Sequence, residues 1–172
     1  SNVGVGYEAG IARNSSENTS LGVRAGSFAD GDGNVAIGFE SGTAYYTNWS
    51  PGANHTVAIG YQARSHADQS IAIGDGAVAS GLSSISIGTG NNVSGNKSGA
   101  IGDPSVVTGN ASYSLGNDNT VSTDDTFAIG NSITATVANS VGLGSFTAMT
   151  SALTASSGGL TAVNSATVGG IT

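Results

Sequence analysis

Ten glycines along this chain, each preceded directly by a branched aliphatic residue, fall in a regular series. The last seven, Gly60, Gly74, Gly88, Gly102, Gly116, Gly130 and Gly144, are spaced by fourteen residues. Upstream, Gly6, Gly22 and Gly38 continue at steps of sixteen, and an interval of twenty-two joins Gly38 to Gly60. A period this short is one turn of a stacked structure, not a domain. Leucine-rich, ankyrin and tetratricopeptide repeats take about 20 residues or more, and helices reject this much glycine.

Aligned on the glycine, the positions form columns. Immediately before it stand Val5, Leu21, Ile37, Ile59, Ile73, Ile87, Ile101, Leu115, Ile129 and Leu143. Two residues earlier come Val3, Thr19, Val35, Val57, Ile71, Ile85, Gly99, Tyr113, Phe127 and Val141, mostly large and β-favouring. Between these columns lies a third, Gly4, Ser20, Ala36, Ala58, Ala72, Ser86, Ala100, Ser114, Ala128 and Gly142, in which every residue is small. Period-two alternation puts the two large columns on one face of a short strand and the small column on the other. The large columns are expected to form the core, and the small column to admit close approach by another chain. The glycine ends the strand, where the chain needs positive φ or room for a turn. A weaker alternation follows in Ala77 with Ala79, Val93, Val107, Val121, and Ile133 with Ala135. Each repeat is thus strand, turn, strand, turn, with two strands of about five residues. The predicted fold is all-β, a parallel solenoid of about ten coils stacked ~4.8 Å apart, roughly 45–50 Å long.

Composition narrows the function. The chain has 28 glycines and no cysteine, so neither disulfides nor thiolate metal sites are available. Its four Lys and Arg residues are scattered and its net charge is −7, which argues against nucleic acid as a partner. Phased large apolar residues argue against disorder. No apolar run approaches the ~20 residues of a membrane span, so no membrane contact is expected of this segment. Ser1 opens directly into the first repeat, and the chain is expected to be a piece of something longer. A core of so few large residues per coil favours a homo-oligomer.

The stretches Asn34-Val35-Ala36-Ile37-Gly38, Thr56-Val57-Ala58-Ile59-Gly60, Ser70-Ile71-Ala72-Ile73-Gly74 and Asn139-Ser140-Val141-Gly142-Leu143-Gly144 resemble the head repeats of trimeric autotransporter adhesins. More narrowly they resemble the YadA-type head, with its fourteen-residue NSVAIG-like repeat. The resemblance covers residues 1 to 149. It implies a homotrimer of left-handed parallel β-rolls on the surface of a Gram-negative bacterium, with a stalk and outer-membrane anchor downstream. Members of that family bind collagen, fibronectin, laminin or host-cell receptors, or promote autoagglutination. An extracellular matrix protein or cell-surface receptor is therefore the implied partner, and no cofactor is implied.

Three departures mark the chain. The sixteen-residue repeats require a longer turn. The twenty-two-residue interval carries an insertion, Thr43 to Gly52, expected to project as a loop. Beyond Met149 the phasing stops, and residues 150–172 lack heptads. Their Thr161–Thr172 end looks like the opening of another head module.

Chemistry of other kinds is thin. Gly31-Asp32-Gly33-Asn34 faintly resembles a calcium-binding roll, but Asp75, Asp103 and Asp118 are isolated and suit solvated turns. Gly74-Asp75-Gly76 and Gly88-Thr89-Gly90 mimic a nucleotide fingerprint without the strand–helix unit it needs. No GxSxG elbow occurs, and His55 and His66, the latter near Asp68, suit exposed turns or subunit contacts. Sequons such as Asn54, Asn92, Asn96 and Asn110 follow from the repeat itself. Pro104 suits a turn. No catalytic or metal-binding residue is assigned, and an enzyme is not expected. The insertion holds the only tryptophan, so Tyr45, Tyr46 and Trp49 are the candidate partner contacts. The leading expectation is an adhesin head. The alternatives are a spacer in a surface fibre and a phage tail-fibre segment; an ice-binding solenoid would need more regular threonines.

Overall fold

The structure is a computed structural model that describes residues 1–11, 15–27, 31–42 and 52–149. The candidate loop at 43–52 and the module boundary at 150 fall largely or wholly outside those residues. Four three-residue strands come first: β1 (Val3–Val5), β2 (Thr19–Leu21), β3 (Val35–Ile37) and β4 (Val57–Ile59). Two-residue and three-residue strands then alternate through β5 (Arg64–Ser65), β6 (Ile71–Ile73), β7 (Val78–Ala79), β8 (Ile85–Ile87), β9 (Asn92–Val93) and β10 (Gly99–Ile101). The pattern continues with β11 (Val106–Val107), β12 (Tyr113–Leu115), β13 (Thr120–Val121), β14 (Phe127–Ile129), β15 (Thr134–Ala135), β16 (Val141–Leu143) and β17 (Ala148–Met149).

The three-residue strands stack into one ten-stranded parallel sheet and the two-residue strands into a seven-stranded one. Pairing joins equivalent positions of successive coils throughout, as in Val57↔Ile71 and Ile85↔Gly99. The fold is therefore a parallel β-solenoid whose coils are about fourteen residues long. Ten stacked strands span about 43 Å from first to last. Among the described residues no helix is long and apolar enough to cross a membrane. In the sixteen-residue coils the second ladder persists as single rungs, Gly10 N to Ala25 O and Gly26 N to Ser41 O at 2.8 and 2.9 Å.

The strands are shorter than the expected five residues because each coil spends residues on sharp corners. Gln62 and Gln69, one at each corner of the same coil, have φ of 51° and 60°. Each series glycine has its own reason. Gly60 has φ 132°, and a Cβ there would strike the carbonyl of Gly74 in the next coil, its carbon only 2.7 Å away. Both positive φ and close stacking thus forbid a side chain.

The two faces of the long sheet are the reverse of the expectation. The small column points into the coil: Ala58, Ala72, Ser86, Ala100, Ser114 and Ala128 are buried. The large columns point outward, with Ile101 49 % and Leu115 51 % exposed. The cause is the width of the coil. Its interior must fit between two strands joined by tight corners, and the facing strands already contribute Ala79, Val93, Val107, Val121 and Ala135. At the last coil the limit is explicit, since a Cβ on Gly142 would come within 2.6 Å of Met149 Sδ from the other sheet. Alternation assigns two faces but not which one fits inside.

Much of the rest of the interior is polar, and many of its side chains pair between coils. Asn18 Oδ1 accepts from Asn34 N at 2.7 Å, and Asn34 Oδ1 accepts from Thr56 N at 2.9 Å. Later coils replace this asparagine ladder with hydroxyls: Ser98 Oγ accepts from Ser112 N, and Ser112 Oγ from Thr126 N. The Asn119 side chain makes three hydrogen bonds. It donates to Ser114 Oγ and Gly130 O, and its Oδ1 accepts from Ile133 N at 2.9 Å. Such pairing removes the cost of burying polar groups.

Candidate interaction face

The outward face of the ten-stranded sheet is the feature that requires explanation. Two side chains per coil face outward, large and apolar in all coils but those of Thr19 and Gly99, and they repeat at the coil spacing along the sheet. The exposed members include Val3, Val5, Leu21, Ile101, Tyr113, Leu115, Phe127, Ile129, Val141 and Leu143. Of the repeat residues named from sequence, Ile37, Ile59, Ile73 and Ile87 are half-buried on this same face. Their glycines, Gly38, Gly60, Gly74, Gly88, Gly102, Gly116, Gly130 and Gly144, all have positive φ and end the strands. A contiguous apolar surface far larger than the few hundred Å² of an ordinary monomer marks an interaction site.

In the first four coils the face is wider. Tyr7, Val23, Phe39 and Tyr61, each directly after its series glycine, are exposed and extend the alternation by one column. Phe39 and Tyr61 stack with ring centroids 5.3 Å apart and planes 9° from parallel. From the fifth coil on, the same column holds Asp75, Thr89, Asp103, Asn117 and Asn131. The sequence analysis missed this column, although alignment on the glycine would have revealed it. Beside it runs a surface ladder in which Arg24 bridges Glu8 and Glu40, both at 3.1 Å, and Gln62 Nε2 donates to Glu40 Oε2 at 2.9 Å. The Gln62 amide, then Arg24, hold the Glu40 carboxyl below its usual pKa against the opposing effect of desolvation.

A second aromatic pair lies in the later coils, where Tyr113 and Phe127 stack at 5.3 Å. Next to it is a hollow of about 260 Å³ lined almost wholly by carbon, where Gly99 interrupts the column of large residues.

The remaining candidates have structural surroundings. Asp32 Oδ1 accepts from Ser16 N, Asp68 Oδ1 from Asn54 N at 2.8 Å, and Asp124 Oδ1 from Asn110 N at 2.7 Å. These carboxylates pin the corner of the adjacent coil. Among the described residues no three His, Cys, Asp or Glu side chains are grouped to hold a metal ion. His55 and His66 are both exposed and are tied by their backbones, to Asp32 O and Ala79 O respectively. Burial of part of its ring, then Arg64, lower the pKa of His66. Tyr45, Tyr46 and Trp49 lie outside the described residues.

The family model of the YadA head domain repeat, which spans two copies, matches residues 53–77, 79–105 and 108–132. No curated protein matches the chain. The three matched stretches fall on the fourteen-residue coils, each covering about two of them, and end to end they carry the strands from β4 into β14. The coils of the matched stretches are similar to YadA head repeats, and together with the parallel solenoid they support a YadA-like head.

Proposed function

We propose that this chain is the non-enzymatic head of a surface adhesin in which three copies associate through the outward faces of their ten-stranded sheets. The observation that carries the reading is the continuous apolar face. Its apolar side chains, exposed in the end coils and half-buried in the middle ones, amount to roughly 1,500 Å² in all, or about 750 Å² for each of two neighbours in a ring of three, close to the usual size of a stable contact. Assembly would bury that face and leave the seven-stranded sheets and corner turns outside. The YadA-type repeats support a setting on the outer surface of a Gram-negative bacterium and an extracellular matrix protein or host-cell receptor as the partner. Three chains with many similar coils multiply weak contacts into avidity. Tyr45, Tyr46 and Trp49 in the insertion are the proposed anchors.

Solid-phase binding of the purified assembly to collagen, fibronectin, laminin and whole cells tests this. The expected result is saturable binding to at least one, weakened when residues 43–52 are deleted. Absence of binding to all four, with cell adhesion unchanged by the deletion, would make the head a spacer that holds other modules away from the cell.

A further inference from the structure

A strictly periodic interface has a weakness. If every coil presented Val or Ile, two chains could slide past each other by one coil, ~4.8 Å, and meet almost the same surface. Such slips are removed in other assemblies by a position that breaks the pattern at some cost in contact area. In this chain the break is at Gly99, which stands where Ile71 and Ile85 stand in the two preceding coils. The next two coils overcompensate with Tyr113 and Phe127.

The rings are placed to use the gap. A Cβ on Gly99 would lie 2.9 Å from Tyr113 Cδ1 and Cε1, so the Tyr113 ring leans back over the glycine. Phe127 stacks behind it with an interplanar angle of 23°. What remains is the hollow of about 260 Å³ walled by Ile85, Gly99, Ile101, Tyr113, Leu115 and Phe127. Its lining makes it a receptor for an apolar side chain, not for a polar ligand. The same chain presents, within two coils of the hollow, the two bulkiest side chains on this part of the face.

We propose that Gly99, Tyr113 and Phe127 form a register lock, in which the hollow of one copy receives an aromatic side chain of a neighbouring copy and so fixes the axial alignment of the assembly. The occupant is a second copy of this chain because the face carries both the hollow and its filler, and because its area matches what a stable contact between copies needs. The lock rests on the outward face being the self-association surface. A shift of one coil would set Gly99 of one copy against Ile85 of the other and carry that other copy's aromatic pair one coil away from the hollow, a mismatch of size at each level of the break.

The test uses the absence of native cysteine. Chains bearing Ile73→Cys and chains bearing Ile87→Cys, one coil apart, are co-refolded and oxidised. In the native background the disulfides should be almost entirely 73–73 and 87–87. In a background made regular by Gly99→Ile, Tyr113→Ile and Phe127→Ile, mixed 73–87 disulfides should rise at least fivefold while the sedimentation mass is unchanged. Equal fractions of mixed disulfide in the two backgrounds, with association intact, would overturn the lock alone. A native chain that sediments as a monomer would overturn the self-association reading and the lock with it. The single change Gly99→Ile provides a second reading: it should weaken association at least tenfold with the β-sheet circular dichroism retained, and association as tight as native would contradict the lock.

Discussion

The two faces of the ten-stranded sheet are built from alternate residues of the same strands, yet they obey different rules. On the inner face size is limiting. Ala72 and Ala100 fit because the opposite sheet is close, and bulkier residues have no place. On the outer face size is unrestricted within the chain, and Ile, Leu, Tyr and Phe succeed one another along it. The difference teaches that in a coil this narrow the largest apolar residues are not the core of the chain. They lie on its surface, where the proposed assembly would cover them.

Substitutions that ignore the inner rule should have the largest effects. Gly74→Val would drive a Cβ into the carbonyl group of Gly88, whose carbon is 2.6 Å away, at a backbone with φ 133°. A loss of about 4 kcal/mol is expected in urea unfolding, from backbone strain plus steric overlap. Ala100→Leu overpacks the interior against Val93 and Val107, with an expected loss of about 3 kcal/mol. An Ala100→Leu protein as stable as native would show that the interior is wider than this account allows.

Polar rungs of the interior come next. Asn119→Ala removes two donated bonds and one accepted bond and should cost about 2 kcal/mol. Asn91 donates to Ile87 O and Gly102 O, but its Oδ1 has no partner, so Asn91→Ala should cost closer to 1 kcal/mol. The two variants measured side by side, by chemical denaturation, sharpen the claim that pairing between coils is what makes asparagine acceptable inside. Equal losses would break it.

The smallest effect belongs to the exposed ladder. Glu40 has its pKa lowered below 4.5 by Gln62 first and then by Arg24. A depressed carboxyl pKa contributes stability that is present above the unfolded value and is lost as pH falls through the folded value. Melting of the native chain should therefore decline slightly more below pH ~4.5 than that of Glu40→Gln. The difference should shrink in high salt because these groups are open to solvent. Identical acid profiles would remove the ladder from the account.

The period, the all-β class, the parallel stacking and the role of the series glycine were legible because each rests on local chemistry repeated ten times. The facing of the strands was not. Val57-Ala58-Ile59 states that valine and isoleucine share a side; it does not state the distance to the opposite strand, which depends on how Gln62 and Gln69 close the corners. Hydrophobicity alone then favours the wrong side. The apolar column of Tyr7, Val23, Phe39 and Tyr61 was visible in principle but was masked because in later coils the same position holds polar residues. The hollow at Gly99 was marked only by one glycine in a column of ten positions, and its meaning required the position of the Tyr113 ring.

The most direct test of the central claim is sedimentation equilibrium on the native chain and on the triple variant Ile73→Ser, Ile87→Ser and Ile101→Ser, with circular dichroism on both. The account predicts a native mass of about 50 kDa, three times the 16.6 kDa of one chain. It predicts a triple variant shifted toward the single-chain mass. A native chain that stays at 16.6 kDa with its β-structure intact would show that the outward apolar face needs no partner, and would contradict the account.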